Sequence, residues 1–247
     1  MNRLAILRMS AKHGIIYERM NLMRKVINVR VAIFDFDGTL YEKDTFKILM
    51  SHLKHHPVYK DNYKPFFRGI LPRYLGYKMK VYPEQRMKSQ SMRLYLSAHH
   101  QLTKDQLMTY FGEVKEKMQA GFNPLVVAKL REHIQDNIHV MLVSGAFTLF
   151  IEEVITGLPF DTIIGTEIPF KGEAINYDKQ LDHINGSRKN DKIHDALQGH
   201  KIDWSNSFAY GDSYSDLSVL DLVGHPVAVK PDSKLRAVAK KRGWEIM

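Results

Sequence analysis

The residues Val29 to Leu40, reading Val-Arg-Val-Ala-Ile-Phe-Asp-Phe-Asp-Gly-Thr-Leu, constrain this chain more than any other stretch. An apolar run rich in β-branched and aromatic residues, from Val29 to Phe34, predicts a strand buried on both faces. Two aspartates, Asp35 and Asp37, follow at a spacing of two, and Gly38 ends the run. On a strand that spacing puts two like charges on one side, an arrangement that a cation between them relieves. The plainer alternative is a surface turn closing a strand.

The rest of the chain predicts alternation. Asn123-Pro124 opens a helix to about Gln135, since proline fits the first helical position. Ile138–Val143 reads as a strand, Phe147–Ile155 as a helix and Thr162–Ile164 as a strand. A hairpin is expected around Lys171-Gly172. A helix over Asp191–Leu197, capped by Asn190, comes next, followed by a strand at Phe208–Tyr210. Ser215–Leu222 reads as a helix, Val227–Val229 as a strand and Ser233–Arg242 as a helix. Strands alternating with helices predict an α/β fold, a parallel sheet covered on both faces, with ligands at the carboxyl ends of its strands. Residues 45–121 break the alternation and read as helical throughout. Apolar residues recur there at helical spacing, Pro83 and Thr103 are placed to start helices, and His55-His56 and His99-His100 are expected on exposed helix faces. The predicted division is an N-terminal extension over 1–28, a core formed by 29–44 and 122–247, and a helical insertion over 45–121.

Polar residues close three further segments: Val143-Ser144-Gly145, Arg188-Lys189-Asn190-Asp191-Lys192, and Tyr210-Gly211-Asp212-Ser213-Tyr214-Ser215-Asp216. With the Asp-x-Asp-Gly stretch, their order and spacing resemble the haloacid dehalogenase superfamily. The helical segment between the first and second motifs resembles its phosphoserine-phosphatase-like branch. The resemblance, which covers about residue 29 to the C-terminus, implies a Rossmann-like core with an inserted helical cap and a Mg²⁺-dependent phosphomonoesterase working through an aspartyl-phosphate.

It implies Asp35 as nucleophile and Asp37 as general acid and base. It implies Mg²⁺ bound by Asp35, the Asp37 backbone carbonyl and Asp212, with Asp216 supporting through water or the lysine. Ser144 and backbone N–H groups near Gly38 and Gly145 would hold the phosphoryl oxygens, and a lysine would complete the clamp. Lys189 fits that lysine better than Lys192. For the substrate side of the site, Asp44, Arg86 and Arg93 are the candidates. Phosphoserine is the namesake substrate of the branch. Asp44 stands where the branch has a longer glutamate, so other small phosphomonoesters, a phospholipid headgroup, or transfer of phosphate to an alcohol stay open.

The formal net charge is +9, and residues 41–120 alone carry 15 Lys/Arg against 7 Asp/Glu. Such a surface attracts nucleic acid, anionic lipid or phosphorylated small molecules. No RNA- or DNA-binding signature accompanies it, so a nucleic-acid binder with a vestigial core is the disfavoured alternative. Residues 65–83 combine Phe66, Phe67, Tyr74, Tyr77 and Tyr82 with Arg68, Arg73, Lys78 and Lys80, and contain no acid. Either the aromatics pack inward and the basic residues face water, or the stretch touches anionic membrane. The chain has no cysteine, which excludes a disulfide framework and thiol chemistry and accords with an expected cytoplasmic setting. Nothing in it specifies an oligomeric state.

Overall fold

The computed structural model describes residues 28–247, so the expected N-terminal extension lies outside the described residues but for its last position. Strand β1, Val31–Phe34, is buried along its whole length. Its side chains divide between two cores, as the two-residue period of a strand requires. Val31 and Ile33 join Met141, Val143, Ala209 and Ala228 on one face, while Ala32 and Phe34 join Val140, Leu142, Tyr210 and Val227 on the other. That double burial is why the run carries no polar residue. Val29 stays outside regular pairing, in an isolated bridge to Ile202.

The other sheet strands are β2 (His139–Phe147), β3 (Thr162–Thr166), β6 (Phe208–Gly211), β7 (His225–Ala228) and β8 (Glu245–Ile246). All pairings are parallel, in the order β3-β2-β1-β6-β7-β8, and a small hairpin, β4 (Phe170–Lys171) with β5 (Ala174–Ile175), stands apart. One face is covered by α6 (Pro124–Gln135) and α7 (Thr148–Val154), through Val126, Leu130, Phe150 and Ile151. The other is covered by α8 (Ser187–Ala196), α9 (Leu217–Leu220) and α10 (Ser233–Arg242), through Ile193, Leu197, Leu220, Leu235 and Ala239. The fold is the expected α/β one. β1 lies between β2 and β6, so the chain leaves it in both directions across the sheet, and the switch point opens at its carboxyl end.

Between β1 and β2 lie α1 (Thr45–His55), α2 (Tyr63–Lys78), α3 (Glu84–Ser97), α4 (Lys104–Gly112) and α5 (Lys115–Met118). Thr103 starts α4 through a reciprocal capping box with Gln106. Tyr95 and Tyr110, both buried, share a 2.9 Å hydrogen bond at the centre of this segment.

Two histidines expected on exposed faces are instead buried, His56 and His99, whereas His55 and His100 are exposed. His56 Nδ1 accepts the backbone N–H groups of Val58 and Tyr59, both at 3.1 Å, which leaves its Nε2–H to donate to Glu113 at 3.0 Å. Helical spacing gave no sign of this, because the partners come from the turn after α1 and from the end of α4. The aromatics of α2 also divide: Phe66 is buried, but Phe67 and Tyr74 are exposed.

Three boundaries differ from expectation near the sheet's carboxyl edge. β2 runs through Ser144 and Gly145 to Phe147, with a register shift between Val143 and Phe147. Helix α8 begins at Ser187 rather than Asp191, so Asn190 caps nothing. Its side chain lies inside the helix and donates to the Ser218 carbonyl at 2.9 Å. The helix expected over Ser215–Leu222 is a 3-10 turn, Tyr214–Asp216, followed by the single turn of α9.

Candidate active site

The carboxyl edge of β1 and β6 gathers the acidic residues of the two outermost motifs. Asp35 follows β1 directly, and its backbone N–H bonds to the Tyr210 carbonyl of β6 at 3.0 Å. Carboxylate oxygens of Asp35, Asp212 and Asp216 lie within 4.8 Å of one another. Lys189, in the first turn of α8, donates to Asp35 Oδ1 at 2.6 Å and to Asp216 Oδ1 at 2.7 Å. Its side chain is only 7% exposed. Lys192 points elsewhere and pairs with Asp182 at 3.4 Å, so the geometry separates the two lysines. Asp216 is further held by Ser213, whose hydroxyl donates to Oδ2 at 2.9 Å and whose N–H bonds to the same oxygen at 3.3 Å.

Burial first, and then the neighbouring Asp216 charge, push Asp35 well above the carboxylate range. The same two causes raise Asp212 to about 7. Burial opposes the charge on Lys189, but Asp216 and Asp35 outweigh it, and the ammonium titrates above its usual range. Three carboxylates around one ammonium thus carry excess negative charge in a partly dehydrated place. Hard oxygen donors with uncompensated charge are the donor set a divalent cation such as Mg²⁺ takes.

Asp37 stands beside this cluster. Its Oδ1 accepts the Thr45 N–H at the start of α1 at 2.8 Å, and burial raises its carboxyl to about 6. Gly38 has φ +83°, and a Cβ there would overlap the Asp212 carboxylate, so glycine is demanded by both conformation and space. Ser144 is buried, and its Oγ accepts the Ala146 N–H at 3.0 Å. A Cβ on Gly145 would lie 2.9 Å from the Ile184 carbonyl and 3.2 Å from His183 Nε2.

The expected substrate-side residues are less tightly placed. Asp44 is the N-cap of α1, accepting from Lys47 N–H at 3.2 Å. Arg86 is exposed, and Arg93 is exposed and donates to the Tyr177 carbonyl at 3.0 Å. Among the described residues, neither arginine bonds to the carboxylate cluster.

One residue that spacing did not single out stands closer. His183 is buried against Gly145, with Nδ1 at 2.9 Å from Asn185 Nδ2. Burial, then the charges of Lys88, Lys189 and Arg188, push it down to about 4. Lys88 of α3 pairs with Glu84 at 2.8 Å, lies near His183, and lines a cleft of about 480 Å³ with Gln85, Asn185, Gly186 and Ser215, none of the four aspartates being in its lining. His183 belongs to a loop that carries no motif, and only tertiary packing brings it to Gly145. A larger concavity of about 610 Å³ lies around His133, Phe208 and Trp244, and none of the four aspartates lines it either.

The family model of haloacid dehalogenase-like hydrolases matches residues 32–221. The chain belongs to that family. Among its relatives, a histidinol-phosphatase of Neisseria meningitidis is 23% identical over 233 residues, covering 88% of this chain and 97% of that one. A phosphoserine phosphatase of Mycobacterium tuberculosis is 58% identical over 38 residues, 15% of this chain and 12% of that protein. The chain thus spans only 12–13% of the length of the first three curated relatives. A Bordetella pertussis protein of unknown function has the same fold, with a TM-score of 0.74 at 18% identity over 89% of this chain and 98% of that one. A phosphoserine phosphatase solved as a phospho-aspartyl intermediate analogue aligns at a TM-score of 0.57 and 17% identity, covering 89% and 92%.

Proposed function

We propose that this hydrolase is a Mg²⁺-dependent phosphomonoesterase acting on a small phosphorylated metabolite through an aspartyl-phosphate on Asp35. The observation that carries the reading is Lys189 held between Asp35 and Asp216 at the sheet's switch point. A phosphate monoester is a dianion, and a carboxylate attacks it only where positive charge screens both partners. Lys189 supplies one such charge. Asp35, the Asp37 backbone carbonyl and Asp212, with Asp216 behind them, are the groups that would hold Mg²⁺, which supplies the rest of the screening charge when bound.

In the first step an Asp35 oxygen bonds to phosphorus while the bond from phosphorus to the ester oxygen breaks. Asp37, with a carboxyl that titrates at about 6, gives its proton to the departing alkoxide. Asp37 then takes a proton from the water that attacks the aspartyl-phosphate, the Asp35–phosphorus bond breaks, and inorganic phosphate leaves. Ser144 and the N–H groups near Gly38 and Gly145 orient the phosphoryl oxygens.

The helices of residues 45–121 act as a cap over the core formed by 29–44 and 122–247, closing on the substrate and excluding water from the first step. Asp44, Arg86, Arg93 and Lys88, which pairs with Glu84 at 2.8 Å, are the candidates for substrate contact. Phosphoserine is one substrate within this class, and a cytoplasmic setting belongs to the same proposal.

The test is phosphate release from a panel of phosphomonoesters, including phosphoserine, histidinol phosphate, sugar phosphates and lysophosphatidic acid, with and without Mg²⁺. Release that needs the metal and vanishes in Asp35→Asn is expected. Release that survives Asp35→Asn would remove the nucleophile assignment. A new phosphoester formed from an added alcohol in place of free phosphate would make the enzyme a transferase.

A further inference from the structure

Nine large apolar side chains stand exposed among the described residues, and six of them fall between residues 67 and 81: Phe67, Leu71, Tyr74, Leu75, Met79 and Val81. The first four recur at i, i+4, i+7 and i+8 along α2, so they form one stripe on the outer side of that helix. The opposite side is also apolar. Phe66 and Ile70 point inward, and the Phe66 ring meets the Tyr95 ring at 5.7 Å between centroids. A helix apolar on two sides ordinarily has a partner on each. Among the described residues only the inner side has one. The outer residues range from 37% exposed at Leu71 to 75% at Val81.

Charge selects the missing partner. From Tyr63 to Pro83 the chain has Lys64, Arg68, Arg73, Lys78 and Lys80 and no acid. Lys64, Arg68 and Lys78 are exposed beside the stripe. A second copy docked on this face would set like charges against one another. An anionic lipid surface satisfies both features: apolar and aromatic side chains enter the boundary between headgroup and acyl chain, and the basic side chains reach the phosphates. At about 1.5 Å per residue the helix is about 24 Å long, and it would lie in the surface plane. Among the described residues no helix is long and apolar enough to cross a membrane.

We propose that the outer face of α2 and the turn after it, Phe67 to Val81, is a docking surface for anionic membrane. This inference does not depend on the phosphatase reading.

The experiment is co-sedimentation of the full chain with vesicles of phosphatidylcholine alone and with about 30% phosphatidylglycerol, a fraction that gives a strongly negative surface. Pelleting with the anionic vesicles only is expected, with release near 0.5 M salt, where screening shortens to about 4 Å. Lys78→Gln should weaken partitioning about fivefold, the effect of one basic residue near such a surface. Leu71→Ser with Leu75→Ser should abolish it while the thermal midpoint and phosphate release stay unchanged, since both positions are solvent-facing. Tyr74→Trp provides a second readout that does not need the serine variant to fold: its emission should shift to the blue on binding. Absence of pelleting at low salt overturns the proposal, as does undiminished pelleting of the folded double variant. A lipid-independent dimer that the same double substitution dissolves would assign the face to a second copy instead.

Discussion

Replacing Lys189 by Met isolates the electrostatic core of the site. The ammonium makes two charge-assisted hydrogen bonds, to Asp35 and Asp216, whose side chains are 11% and 5% exposed. Each such bond contributes about 1.5–3 kcal/mol. The methionine fills most of the volume but leaves two buried carboxylates facing each other, with Asp212 beside them. Part of that cost is recovered because Asp35 and Asp212 take up protons, which their raised titration already favours. The net expectation is a loss of about 3–5 kcal/mol, the usual result of breaking a buried pair from one side. Urea unfolding in chelator measures it. The double variant Lys189→Met with Asp216→Asn should be less destabilised than the sum of the single changes, by at least about 1.5 kcal/mol, because the orphaned charge has gone. Additivity to within about 0.5 kcal/mol would refute the argument, since it would mean that the two groups do not feel each other. The same Lys189→Met protein should lose about two to three orders of magnitude in phosphate release, the effect of removing one preorganised charge from a transition state.

Gly38→Ala should destabilise the fold by about 2 kcal/mol through its positive φ and should displace Asp212 as well, whereas Gly172→Ala, at φ +61° with nothing within 4 Å, should show only the conformational cost. Calorimetry and phosphate release on both variants check the contrast, and equal activity losses would refute it. His99 is buried, its Nε2 has no partner among the described residues, and burial holds its titration down at about 4. The unfolded chain binds this proton below about pH 6.5 and the folded chain only near 4, so stability is full above 6.5 and falls as the pH drops through that window. Between pH 7 and 5 the loss assigned to His99 is about 2 kcal/mol, and His99→Phe should flatten the urea-derived stability profile by that amount. Mg²⁺ at about a hundredfold excess over its dissociation constant should stabilise the protein by about 2.7 kcal/mol. Asp212→Asn should remove most of the accompanying thermal shift, and a shift of full size in that variant would place the metal elsewhere.

The parallel sheet was legible because a strand buried on both faces has to be apolar throughout. Val31–Phe34, Val140–Val143 and Ala209–Tyr210 show that requirement directly. Local chemistry marked helix starts too: Asn123 before Pro124 and Thr103 before Gln106 cap as their side chains suggest. The start of α8 was not legible. Asn190 is a good capping residue in isolation, but Gly186 at φ +49° turns the chain earlier, and Asn190 spends its side chain on Ser218. β8 was missed because two residues, one of them an acid, carry no periodic signal.

What the sequence determined by itself is the order of elements and the kinds of residue that end each strand, because both depend on a residue's own chemistry and its near neighbours. The tertiary structure decided which of those residues meet. It separated Lys189 from Lys192 by direction alone, one toward two buried carboxylates and the other toward Asp182. It buried His56 and His99 among tyrosines of three different segments, and it brought His183 against Gly145 across the sheet edge. It also left one stripe of α2 without a neighbour among the described residues, although Phe66 and Phe67 stand side by side in the chain. Successive helical residues point about 100° apart, so which of two adjacent phenylalanines is buried depends on where the rest of the fold lies.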